Sequence, residues 1–68
     1  MITTFDVYTQ AGHTYDMFGL STDTKPVEGV TNASTFYEMD TMRIWLFDAE
    51  NRVWLAQDGS GETVGGGK

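Results

Sequence analysis

Residues 34–57, STFYEMDTMRIWLFDAENRVWLAQ, hold five of the nine aromatic side chains of this 68-residue chain: Phe36, Tyr37, Trp45, Phe47 and Trp54. Polar turn formers cut the segment into three short runs of strand-like composition. In residues 35–39, Tyr37 and Met39 alternate with Phe36 and Glu38. In residues 43–47, Arg43, Trp45 and Phe47 alternate with Ile44 and Leu46, and in residues 52–57 Arg52, Trp54 and Ala56 alternate with Val53 and Leu55. The connections Asp40-Thr41-Met42 and Asp48-Ala49-Glu50-Asn51 suit tight turns, the second a type I turn closing through a left-handed residue. Three strands joined this way form an antiparallel meander.

The remainder of the chain adds less. Residues 2–9, ITTFDVYT, read as a further strand, with Phe5 and Val7 opposite Thr4, Asp6 and Tyr8. Turn formers recur too often between residues 10 and 33 for a helix, and Pro26 bars a central strand at its own position. Tyr15, Met17, Phe18 and Leu20 can still lay apolar cover on a sheet face, with room for a short strand or turn. Five glycines lie in residues 59–68, so that stretch reads as a flexible tail. The expected class is all-β: a small antiparallel meander of three to four strands with an irregular N-terminal half. The expected organisation is one domain over 1–57 and a Gly-rich tail over 58–68.

The middle strand carries large apolar side chains on both faces, so its second face needs a cover. A chain of this length buries only about 60% of its unfolded surface. With no cysteine and one histidine it has neither disulfides nor a thiolate or histidine metal cluster to compensate. Self-association into a closed homo-oligomer is the expected remedy; the rival is cover by Phe5, Val7, Tyr15, Phe18 and Leu20 of the same chain.

Ten acidic residues against four basic ones give a net charge of −6. Scattered Lys25, Arg43, Arg52 and Lys68 cannot neutralise a phosphate backbone or an anionic membrane, so no direct nucleic-acid or membrane partner is expected. The acidic surface serves solubility, or imitates DNA before a basic partner. No segment approaches the ~18 apolar residues of a membrane span, and MITTFDVYTQ lacks the basic flank and apolar run of a signal peptide.

No set of residues announces chemistry. His13 has no adjacent nucleophile and reads as a loop histidine capping a turn. Asp58-x-Ser60-x-Glu62 alternates oxygens as a calcium loop does, but lacks the glycine and the distant bidentate Glu. Asp48 and Glu50 are two turn carboxylates in water. Glu38 and Asp40 meet the minimum for paired-carboxylate hydrolysis, yet so short a chain leaves little room for the ~300 Å³ cleft a ligand needs. No enzyme, no cofactor and no metal is expected. Trp45 and Trp54 pack the core or anchor a partner, and the candidate interface residues are Trp45, Phe47, Trp54, Tyr37 and Phe36.

STFYEMDT, an apolar pair, and then FDAENRVW resembles a small β-meander of phages of Gram-positive bacteria, whose pattern runs roughly GSTFxExDTGKxYxFDxENxxW. Residues 19–34, GLSTDTKPVEGVTNAS, resemble its lead-in, so the likeness spans residues 19–57. Two positions depart: Met42 stands where the turn glycine is expected, and Ala33 where a glycine usually precedes Ser34. The resemblance implies a head-fibre or small virion-associated protein. Such a protein acts by protein–protein docking on itself or on a capsid protein, and resides in the virion, or in the host cytoplasm before assembly. The rival is an acidic phage-encoded inhibitor that occupies the basic nucleic-acid groove of a host enzyme or defence complex.

Overall fold

The computed structural model describes residues 1–10 and 12–65. Six strands form a single sheet: β1 (Thr3–Thr9), β2 (Gly12–Gly19), β3 (Thr35–Glu38), β4 (Arg43–Asp48), β5 (Val53–Ala56) and β6 (Thr63–Gly65). They lie side by side in chain order, and no helix occurs among the described residues. Every neighbouring pair is antiparallel except β2 and β3, which run parallel. The all-β class holds, with six strands where three to four were expected.

Two strands were missed for physical reasons. β2 is eight residues long and lies in the stretch read as irregular. Its two faces mix polar and apolar side chains, His13, Tyr15 and Met17 on one and Thr14, Asp16 and Phe18 on the other, so alternation gave no signal. β6 lies in the stretch read as a flexible tail. Val64 pairs with Trp54, which supplies the contact that glycine-rich chain needs in order to stay put. Residues 66–68, the rest of that tail, lie outside the described residues. Deleting 58–68 should therefore lower the melting temperature of the domain by several degrees, since a loss of ~1 kcal/mol shifts a domain of this size by about 4–8 °C. Thermal denaturation followed by circular dichroism checks this, and an unchanged midpoint would make β6 dispensable.

The two hairpins of the meander share one device. Glu38 pairs with Arg43 and Asp48 with Val53, so each loop has four residues. Each closes through a left-handed residue, Met42 at φ 63° and Arg52 at φ 58°. The left-handed residue in the second loop is Arg52 rather than the last turn residue, Asn51. Asp48 holds that loop by accepting from the Glu50 amide and the Asn51 side chain. Ala33, ahead of β3, is also left-handed at φ 69°. Met42 and Ala33, the two positions where the resemblance leads glycine to be expected, thus adopt the left-handed conformation that glycine favours, at a cost of ~1–2 kcal/mol each. Met42→Gly and Ala33→Gly should each stabilise the domain by about 0.5–1 kcal/mol, once the flexibility glycine adds to the unfolded chain is subtracted. Chemical denaturation measures this; destabilisation by either substitution would contradict it.

A parallel pair needs a long crossover, and residues 20–34 provide one as an extended strap across one sheet face. Its anchors are spread along its length. The N-terminal ammonium lies 2.9 Å from Asp23, whose other oxygen accepts from the Leu20 amide. Asp40 accepts from both the Ser21 amide and its hydroxyl, Trp54 Nε1 donates to the Pro26 carbonyl, and Asn32 accepts from the Ala49 amide. Under the strap lies the core: Met17, Phe36, Trp45, Phe47 and Trp54, with Ile2, Tyr15, Val27, Val30, Ala56 and Val64 against it. Of the residues named in the rival reading of cover by the same chain, Phe5, Val7, Tyr15, Phe18 and Leu20, only Tyr15 packs against this core; Phe5, Val7 and Phe18 lie on the opposite face of the sheet they belong to.

Candidate functional site

The strap closes one face and leaves the other open. Strand register fixes what the open face presents. One cross-strand row reads Phe5, Asp16, Thr35, Leu46, Leu55 and Thr63, and the row beside it Thr3, Phe18, Tyr37 and Ile44. Val7 and Val53 extend it at one end. Phe5, Phe18 and Tyr37 form an aromatic ladder across β1–β3, with edge-to-face contacts at 5.8 and 6.3 Å. Phe5 is 57% and Ile44 49% exposed, and Val7, Phe18, Tyr37, Leu46, Val53 and Leu55 are half-buried. All the buried core side chains lie on the other face. Exposed apolar side chains gathered on one sheet face make that face the candidate for contact with a partner.

The expected interface residues divide accordingly. Phe36, Trp45, Phe47 and Trp54 are at most 3% exposed and packed under the strap. They are core, and the expectation that they meet a partner is corrected. Tyr37 alone of the five stands on the open face. Alternation along β3 and β4 could have found the rest of that face, since Tyr37, Ile44 and Leu46 share a parity opposite to the two tryptophans.

The strapped face contains the strongest electrostatics. Lys25, 6% exposed, donates from Nζ to Glu38 Oε2 at 2.6 Å and lies over the Phe36 and Trp45 rings. Thr41 Oγ1 donates to the second oxygen of Glu38 at 2.7 Å. Burial by itself would raise the Glu38 pKa. The hydrogen bonds from Lys25 and Thr41, with the charges of Lys25 and Arg43, outweigh it and hold the carboxyl below its ordinary value of 4.5. An open cleft of about 530 Å³ lies here, lined by Ser21, Thr22, Lys25, Glu38, Trp45 and Glu62 among others. So short a chain does have room for a cleft, against expectation, but its ionic groups are engaged with one another.

The remaining candidates are also engaged. Glu38 binds Lys25, and Asp40 binds Ser21, so the paired carboxylates are spent on holding the strap. Asp58, Ser60 and Glu62 converge on a cation after all, but it is the guanidinium of Arg43. His13 stands in β2 rather than a loop, stacked on Tyr8 at 4.2 Å with Nε2 3.3 Å from Asp6. Among the described residues no three His, Asp or Glu side chains are grouped to hold a metal ion. No family model, no curated protein and no solved structure matches this chain.

Proposed function

We propose that this chain is a non-enzymatic docking module of the virion-associated or head-fibre type, and that it binds through the open face of its sheet. The observation that carries the reading is the asymmetry of the two faces. One is closed by the chain's own strap; the other presents Phe5, Phe18, Tyr37, Ile44, Leu46 and Leu55 uncovered. Apolar surface gains about 25 cal/mol per Å² when removed from water, so the open face is where binding free energy is available. Each ionic cluster of the strapped face is spent internally, which supports binding over catalysis. The phage assignment rests on the resemblance of residues 19–57.

Ile44→Lys tests the reading. Ile44 is 49% exposed, so the folded chain tolerates the charge, whereas a docked face does not. The unsubstituted chain should co-purify with phage particles through a density gradient and appear in their mass spectrum, and the Ile44→Lys chain should be absent. Absence of both, or presence of both, overturns the reading.

A further inference from the structure

The open face is not uniformly apolar, and its exception indicates what fits it. Asp16 stands in the row between Phe5 and Thr35, with Phe18 two residues along its own strand. Thr35 Oγ1 donates to Asp16 Oδ1 at 2.8 Å, and Asp16 Oδ2 has no partner among the described residues. The other carboxylate of this face, Asp48, is turned into the β4–β5 loop, where it binds Glu50 and Asn51. The strands place no basic side chain on this face.

Whatever covers the face takes Asp16 out of water. One neutral hydroxyl does not replace the hydration of a carboxylate, so the occupant must bring donors or a positive charge. Among the described residues, a second copy of this chain offers no cation that is not already paired. Lys25 is bound to Glu38, Arg43 to Asp58 and Glu62, Arg52 to Glu28 at 2.6 Å, and the N-terminal ammonium to Asp23. Those are all the cations among the described residues apart from His13, which is beside Asp6 on the strapped face. A second copy would instead add its own Asp16 and its own net charge of −6.

We propose that the open face binds a different protein, one whose apolar surface presents a single Arg or Lys side chain to Asp16. This rests on the docking reading above and specifies the partner. Arg fits best: the free Oδ2 accepts from its fork, and the Phe5 and Phe18 rings beside Asp16 offer faces on which a guanidinium stacks. The aromatic ladder then supplies area, and Asp16 fixes orientation and excludes acidic or neutral competitors.

Three probes with the same apolar body test this on the whole isotope-labelled chain by amide chemical shifts: 4-phenylbutylguanidinium, 4-phenylbutyrate and 4-phenylbutanol. The guanidinium probe should move the signals of Asp16, Phe18, Thr35 and Leu46 at roughly tenfold lower concentration than the carboxylate, the preference expected from one charge-assisted contact. Asp16→Asn keeps the shape and the Thr35 hydrogen bond and should reduce the preference to within about twofold, while Asp16→Arg should reverse it. Equal binding of all three probes at this face would overturn the proposal and leave docking standing. Shifts confined to Asp48 and Glu50, or no binding by any probe, would overturn both. A stable dimer at micromolar concentration that dissociates on Ile44→Lys would also overturn it, since the face would then be occupied by its own kind.

Discussion

Trp54→Ala should severely destabilise this chain, bringing it close to its unfolding transition at room temperature. Trp54 is fully buried, with its ring 4.9 Å from Phe47 and 5.9 Å from Phe36 between centroids. It also reaches through Nε1 to the Pro26 carbonyl at 2.8 Å and pairs with Val64. One truncation therefore opens a cavity, frees an anchor of the strap and removes the surface β6 packs on. Buried Trp-to-Ala changes cost ~3–5 kcal/mol, against a total near the lower end of ~5–15 kcal/mol for a domain this small. Trp54→Phe keeps most of the packing and loses the hydrogen bond, so it should cost about 1 kcal/mol from that loss. Circular dichroism with thermal denaturation separates the three chains, and a folded Trp54→Ala variant with an unchanged midpoint would show that this side chain is not core.

Lys25→Met should be nearly as damaging, by a different route. It leaves Glu38 charged and 3% exposed, with Thr41 as its remaining side-chain donor. Removing one partner of a buried ion pair costs ~3–5 kcal/mol. Because the penalty belongs to the stranded charge, the double variant Lys25→Met with Glu38→Leu should recover most of it, as apolar replacements of whole buried pairs commonly do. Failure of the double variant to recover would mean that the strap needs this specific contact. The same pair predicts acid lability. The folded Glu38 carboxyl titrates below its ordinary 4.5, so the unfolded chain binds the proton more readily. Its stabilising contribution is complete above 4.5 and disappears as the pH falls through the folded value. Asp23 and Asp40, which hold the strap through the N-terminus and Ser21, are shifted the same way. Stability should thus fall below pH 4.5, and the double variant should lose less of it.

The meander was legible because its alternation is strong. Phe36, Trp45, Phe47 and Trp54 share one face against Tyr37, Ile44, Leu46 and Leu55, and each connection contains polar turn formers, Asp40 and Thr41 in one and Glu50 and Asn51 in the other. What parity does not reveal is which face will be covered, since both are apolar. That was decided by the 20–34 strap, whose core-packing residues, Val27 and Val30, gave no periodic signal. Lys25 is the clearest case: a lone lysine beside a proline reads as surface, and its burial depends on Glu38, thirteen positions away. The strap in turn depends on β2 running parallel to β3, which local sequence does not encode. β6 escaped notice because three residues ending in glycine form a strand only where a neighbour such as Trp54 holds them. The open face was therefore anticipated in kind, but of the five side chains named for it only Tyr37 belongs to it, the other four being core.

Hydroxyl-radical footprinting of the chain, free at low micromolar concentration and again within purified phage particles, tests the central claim most directly. Free, Phe5, Tyr37, Ile44 and Leu46 should oxidise while Phe36, Trp45, Phe47 and Trp54 stay protected; in the particle the first set should become protected too. Rapid oxidation of Trp45 and Trp54 in the free chain, or an open face equally reactive in both states, would contradict it.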